Sequence, residues 1–316
     1  LIDTQPTSTE PGAEPGRAHR WRGPAVAAVL PWLWFVVRLV GPELDLVAVG
    51  LPALAGLGIL VYLAIAAARS RPGYVLSAAS MVLFAIVSTL GPRLPHPTPA
   101  PVDPFLLVSA NTFDQNPTPG AAVRSLAALH PDILVAVETD EAIEHGLADA
   151  FGGYAHDMGG RLEVYSRWPL RSGRRLPGIP KAVAFRVTVD RPGGSVIVVA
   201  IHLPNPLHEI SFPDHLAMVR RILAEVRDLP HPVILAGDFN TSDRTDAYRV
   251  MAGDMRDAIR SSWPSRTYVG GLFGLLELRI DHVLEPEDWC SQDAVTVPVE
   301  GSDHRGLVVR LGPCPP

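Results

Sequence analysis

The sequence predicts an α/β domain with mixed sheets, preceded by a set of apolar membrane-spanning helices. Three observations lead there. The first hundred residues hold long uncharged apolar runs, whereas the remainder has the patterning of an ordinary globular domain. Six prolines, at 92, 95, 97, 99, 101 and 104, separate the two parts. In the second part, helical patterns alternate with strands in one half and strands follow strands elsewhere, which does not fit a simple doubly wound parallel sheet.

Residues 1–23 are rich in Pro, Glu, Thr, Gly and Arg without apolar period, and read as a disordered tail. Residues 24–91 are read as three transmembrane helices. The run 24–40 is interrupted by Pro31 and carries Arg38, so whether it spans is open; 46–68 has no charge over 23 residues and 73–90 none over 18. The longest suffices to cross a bilayer, and three runs in series favour spans over a single signal peptide. Arg17, Arg20 and Arg22 precede the first run, Arg69 and Arg71 lie between the second and third, and Glu43 and Asp45 fill the loop between the first two. The positive-inside rule then puts the tail in the cytoplasm. Everything after residue 91 would lie on the extracytoplasmic side of the cell membrane in a multi-pass arrangement, with Arg38 and Arg93 counting against it. Residues 92–104 read as a stiff Pro-rich linker.

Residues 105–311 form the globular domain. Strands are expected at 105–110, 133–137, 162–165, 183–189, 196–201, 233–236, 278–284 and 306–311, and helices at 121–129, 141–150 and 211–227. Residues 190–194 read as a hairpin turn, 241–252 as loop and helix, and Trp263-Pro264 as loop. Candidate functional side chains fall at strand ends: Asn111, Glu138, His202, Asp238, Asn240, Asp303 and His304, with Asp281 inside its strand. Each has a plain structural reading beside the chemical one. Gly237-Asp238-Phe239-Asn240 is also what an Asx-rich turn looks like. Glu138 is either a metal ligand or base, or the first polar residue of a loop, and a single strand-end histidine is commonly structural. Asp281 is costly inside a buried strand without a partner, and a histidine would supply one.

From residue 101 onward there are 20 Lys+Arg and 28 Asp+Glu, a net −8, which argues against broad electrostatic capture of nucleic acid unless a bound cation reverses the local sign. There is no Gly-rich phosphate loop, Cys-x-x-Cys pair, His-Glu-x-x-His helix or internal repeat. Cys290 and Cys314 pair or stay free; the count permits either. The spans hold only Arg38 as an ionisable residue, which disfavours a transporter or channel subunit.

Asn111, the 131–138 strand, Ser166-Arg167-Trp168-Pro169, His202-Leu203-Pro204, Gly237 to Asn240, 279–283 and Ser302-Asp303-His304-Arg305 resemble, in order and spacing, the endonuclease/exonuclease/phosphatase family. This is the fold of deoxyribonuclease I, neutral sphingomyelinases and inositol-phosphate phosphatases, and the resemblance covers about residues 105–311. It implies a four-layer α/β sandwich with two mixed β-sheets flanked by helices. It also implies a divalent-metal-dependent phosphoesterase. Glu138 would bind Mg²⁺ (or Mn²⁺), helped by Asn111 and Asp303; Asp238 would orient and deprotonate the attacking water; Asn240 would hold water or phosphate. His304, kept protonated by Asp281, and His202 would contact the phosphate. The implied substrate is a phosphate ester, whether lipid headgroup, nucleic acid or small ester, met at a lipid bilayer; no protein partner is inferable. Glu163 departs from the small apolar residue common in the family and pairs with His202 or an arginine. No counterpart is found for the tyrosine that some nuclease members use. The alternative is a non-catalytic, membrane-tethered binding protein that retains the fold.

Overall fold

The computed structural model describes residues 16–69, 71–90, 94–230, 232–262, 265–269 and 278–316. Most of the expected tail (1–15), the start of the linker and Trp263-Pro264 lie outside the described residues. The chain divides into two compact units: Leu1–Leu39 with Ala53–Ser88, and Val40–Pro52 with Thr89–Pro316.

In the first unit, helix α1 (Gly16–Val29) starts inside the stretch read as an irregular tail. Pro31 cannot continue an α-helix, and the run to residue 40 proceeds as a 3₁₀ turn, the short α2 (Trp34–Val37) and a second 3₁₀ turn. Most of α3 (Asp45–Ala68) and α4 (Gly73–Leu90) complete the apolar part. Trp21–Val40 and Pro42–Ala68 are long and apolar enough to cross a membrane; Gly73–Ser88 is a shorter apolar helix. Small hydroxyls tie these helices together. Ser77 donates to the Pro24 carbonyl at 2.8 Å, and Trp32 donates to Ser80 at 3.0 Å.

The second unit is built on two six-stranded sheets. The first contains β1 (Phe105–Asn111), β2 (Ile133–Val137), β3 (Ala155–Met158), β4 (Leu162–Ser166), β11 (Trp289–Pro298) and β12 (Arg305–Pro313), in the order β11-β12-β1-β2-β4-β3. The second contains β5 (Leu170–Arg175), β6 (Ala184–Arg191), β7 (Gly194–His202), β8 (Val233–Asp238), β9 (Arg256–Asp257) and β10 (Asp281–Glu285), in the order β5-β6-β7-β8-β10-β9. Each sheet is mixed: β1–β2 and β7–β8 are parallel and the other pairs antiparallel.

Alternate residues of the inner strands face opposite ways. Phe105, Leu107, Ile133 and Val135 meet Phe185, Val187, Val198 and Ile234 between the sheets. The outer face of the first sheet is covered by α5 (Pro119–Ala127) and α6 (Glu141–Ala150). The outer face of the second is covered by α7 (Phe212–Arg227) and α8 (Asp246–Asp254). Four layers result, as expected. Because both faces of β2, β7 and β8 are buried, these strands read as continuous apolar runs rather than alternating ones.

The linker is extended but not free. Thr98 donates to the Ser291 carbonyl at 2.8 Å and accepts from Ser291 N at 3.0 Å, and Arg260 donates to the Leu94 carbonyl at 2.8 Å. Cys290 and Cys314 form a disulfide with Cα atoms 4.9 Å apart, resolving the alternative left by the cysteine count. It closes a separation of 24 residues, and loop-closure entropy for that length is worth about 3 kcal/mol. The double variant Cys290→Ser, Cys314→Ser should lose about 3 kcal/mol of unfolding free energy, read as a lower denaturant midpoint; an unchanged midpoint would show the bond to be energetically idle.

Candidate functional site

The parallel register of β7 and β8 places His202 opposite Asp238, and the antiparallel register of β8 and β10 places Asp281 opposite Asp238 on its other side. Asn111 ends β1, pairing with Val137, the residue before Glu138. The C-terminal ends of β1, β2, β7 and β8 and the start of β10 thus deliver five polar side chains to one edge of the sandwich. Ser302 to His304, entering β12, supply the rest.

Backbone geometry is specialised here. Gly237 lies within β8 at φ +142°, and a Cβ built on it would stand 1.9 Å from the Ile201 carbonyl oxygen. The sequence reading gave this glycine a turn; its role is the close passage of β8 against β7. Glu138 and Asn240 adopt left-handed conformations at φ +55° and +45°, which re-aims the chain just where the strands end. Asp238 Oδ1 accepts from Asn240 N at 2.8 Å, so the Asx turn and the functional position are the same feature.

Asp238 is the hub. It is 1% exposed, and its Oδ2 accepts from Asn111 Nδ2 at 3.0 Å. The same Asn111 amide donates to Glu138 Oε1 at 2.8 Å, and His202 Nε2 lies 3.2 Å from that oxygen. On the other flank, His304 Nδ1 donates to Asp281 Oδ2 at 2.8 Å, and its Nε2 stands 3.8 Å from Asp238 Oδ2. Asn240 Nδ2 donates to the Leu203 carbonyl at 2.8 Å.

Electrostatics follow from these contacts. Burial works against the Glu138 carboxylate, but hydrogen bonds from His202 and Asn111 outweigh it and hold its pKa down to about 2. Burial, then the neighbouring Asp281, pushes Asp238 above the ordinary carboxylate value. Burial opposes the charged form of His304, yet Asp281 and Asp238 lift it to about 10. Burial also opposes the charged form of His202, and Glu138 and Asp238 raise it nonetheless. The site therefore holds ionised Glu138, a carboxylate of raised basicity at Asp238, a cationic His304 and a His202 whose charged form is favoured.

Among the described residues, two groups bring ligand atoms within 4.8 Å of one another: Glu138, His202 and Asp238, and Asp238, Asp281 and His304. Carboxylate oxygens dominate, the donor chemistry of hard divalent cations, and Glu138 is already ionised, as a ligand must be. The donor set fits such a cation. Asn111 turns its amide N–H toward Glu138 and Asp238, while its Oδ1 accepts from Phe113 N at 2.9 Å. Asp303 lines the same cleft, half-buried, outside both groups.

The cleft has a volume of about 550 Å³ and contains Glu138, His202, Asp238, Asn240, Asp303 and His304. Sequence reasoning missed other members. Tyr268 lies in an irregular segment with no pattern to mark it, and its ring meets His304 edge-on at 5.2 Å. Arg161, paired with Asp114, joins the wall. One sequence reading is corrected. Glu163 pairs neither with His202 nor with an arginine; it is buried in β4, accepts from Tyr165 Oη at 2.6 Å and lies 3.1 Å from His156 Nε2. Asp140 caps α6 by accepting from Ile143 N at 2.8 Å. His282, the partner of Asp281 in sequence, turns away from the cleft; its Nε2 donates to the Thr241 carbonyl at 2.7 Å and its Nδ1 faces the fully buried Arg279. Arg279 in turn donates to Asp257 at 2.5 Å and Tyr248 at 3.1 Å, fixing the start of β10.

The model of the Endonuclease/Exonuclease/phosphatase family matches residues 108–304, more than half of the chain. Similar solved structures include a humanized D. rerio TDP2, 17% identical over 67% of this chain and 100% of that one, with a TM-score of 0.57. An endonuclease/exonuclease/phosphatase from Beutenbergia cavernae DSM 12333 is 20% identical over 67% of this chain and 72% of that one, with a TM-score of 0.52. Sphingomyelinase C from Streptomyces griseocarneus is 19% identical over 66% of this chain and 99% of that one, with a TM-score of 0.50. A search of curated proteins gives no match. At these identities the structures speak for the fold, and the family match joins them to the strand-end residues: the chain belongs to the endonuclease/exonuclease/phosphatase family, whose members are phosphoester hydrolases.

Proposed function

We propose that this chain is a membrane-anchored, divalent-metal-dependent phosphoesterase that hydrolyses a phosphodiester or phosphomonoester by in-line attack of water. The observation that carries it is the convergence on one cleft of an ionised Glu138, a basic carboxylate at Asp238 and a His304 that donates to Asp281 at 2.8 Å.

Glu138, with Asn111 and Asp303 beside it, would hold Mg²⁺ or Mn²⁺, which polarises a phosphoryl oxygen and offsets charge in the transition state. Asp238 orients the attacking water and removes its proton. Asn240, immobilised by Leu203 and by the turn, holds water or phosphate in line. His304 and His202 donate to phosphoryl oxygens, where fixed donors in a dry site act strongly. Per turnover one water is consumed: its oxygen bonds to phosphorus, the P–O bond to the leaving alcohol breaks, and the proton taken by Asp238 returns through solvent to the alkoxide.

The apolar helices and the arginine asymmetry support an anchored, extracytoplasmic domain, and the Cys290–Cys314 disulfide fits an oxidising compartment. The test uses the full chain in detergent with bis-aryl phosphodiester, aryl phosphomonoester, plasmid DNA and sphingomyelin. Turnover of at least one should fall by about 10²-fold or more on chelation and return with Mg²⁺ or Mn²⁺. Turnover indifferent to chelator contradicts the metal, and no turnover on any substrate contradicts the hydrolase.

A further inference from the structure

Val40–Pro52 belongs to the same compact unit as the catalytic sheets. The contact that fixes it there is polar and buried. Asp45 is 3% exposed, and its two carboxylate oxygens accept from Asp246 N at 3.0 and 2.9 Å. Asp246 opens α8, whose N-cap Thr245 accepts from Tyr248 N. A carboxylate at a helix N-terminus meets unsatisfied N–H groups and the positive end of the dipole. Asp45 stands also in the first turn of its own helix α3, so it serves two helix starts at once. The loop it grips, Thr241 to Thr245, is buried throughout and follows directly from Asp238 and Asn240. The 3₁₀ turn Pro42–Leu44 packs against α7, whose first residue, Phe212, lines the cleft.

One helical turn beyond Asp45, on the same face, Val49 lines the cleft beside Ser242 and Thr245. The cleft is thus chemically divided. Its catalytic residues are charged, while Val49, Leu207 and Phe212 present apolar surface. Leu207, in the wall of the cleft, is 45% exposed. A soluble enzyme for small or nucleic-acid esters has no use for such a lip, and the −8 charge from residue 101 onward repels a polyanion. Val49 sits in the first turns of α3.

We propose that the substrate is a phospholipid taken at the bilayer surface, with Val40–Pro52 forming a wall of the substrate cleft rather than a mere tether: the phosphoester lies over Glu138, Asp238 and His304, and the apolar portion lies against Val49, Leu207 and Phe212. This rests on the hydrolase reading above and adds the substrate class to it. Asp45 is a positioning residue, holding the wall against the loop that follows the base.

The test uses the full chain reconstituted into mixed micelles and vesicles of phosphatidylcholine, phosphatidylethanolamine, phosphatidylglycerol and sphingomyelin with Mg²⁺ or Mn²⁺. Released headgroup phosphate is read by phosphorus NMR, beside turnover of soluble bis(4-nitrophenyl) phosphate and single-stranded DNA. At least one lipid should be the preferred substrate by kcat/KM. Val49→Asp and Leu207→Asp should each lower the ratio of lipid to soluble-ester turnover by about tenfold or more, the value of one buried aliphatic contact. Leu207 is largely exposed, so its variant folds even if Val49→Asp does not. Turnover of soluble ester or DNA with none of lipid, or a ratio unmoved by Leu207→Asp, overturns the lipid assignment and leaves the hydrolase standing. Turnover of nothing overturns both.

Discussion

Asp238→Asn is expected to lower metal-dependent turnover by about 10³-fold or more near neutral pH, the scale of losing a positioned general base, while the domain stays folded. The substitution keeps the shape of a residue that is 1% exposed. It removes the basic oxygen and the charge that His304 and His202 face. It also leaves an amide N–H against one of two donors, Asn240 N and Asn111 Nδ2, which now both find an acceptor; that mismatch costs about 1–3 kcal/mol of stability. Relief of the buried like-charge pair with Asp281 works in the other direction. Steady-state kinetics with a thermal melt on the same sample decides it. A rate within tenfold of the parent, with the fold intact, would remove Asp238 from the chemistry.

Asp281→Asn is expected to act through His304, and its signature is a pH profile. The active form needs Asp238 unprotonated and His304 protonated, so the acidic limb of kcat/KM follows Asp238 and the alkaline limb follows His304. His304 is raised to about 10 despite burial, chiefly by the Asp281 and Asp238 charges. Removing one of those charges lowers its pKa, so the alkaline limb should move down by a pH unit or more and turnover at mildly alkaline pH should fall about 10²-fold. The Asn oxygen can still accept from Nδ1, which keeps the ring in place. An alkaline limb that does not move would mean that Asp281 does not set the charge of His304. The same pairing contributes to stability. Because the folded value lies above the unfolded one, the contribution is complete below a pH of about 6.5 and is lost as pH rises through about 10.

The strand ends were legible because chemistry and structure coincide there. β1, β2, β7 and β8 are buried on both faces, so each shows as an apolar run that stops where a polar side chain begins, and Asn111, Glu138, His202 and Asp238 mark those stops. The four strands that gave no signal, β3, β5, β9 and β11, are the four sheet edges. Paired on one side only, they tolerate sequences such as the Arg-rich β5, and their conformation comes from the neighbouring strand rather than from their own residues.

By itself the sequence determined the α/β class and the inner strands. These depend on hydrophobic period and on local breakers, both local properties of the chain. Only the tertiary structure decided partnership. It gave Glu163 to Tyr165 and His156, brought Tyr268 to the cleft and joined Asp45 to a helix start 201 residues away. Such pairings follow from strand register and from packing between elements distant in sequence, and no local pattern encodes them.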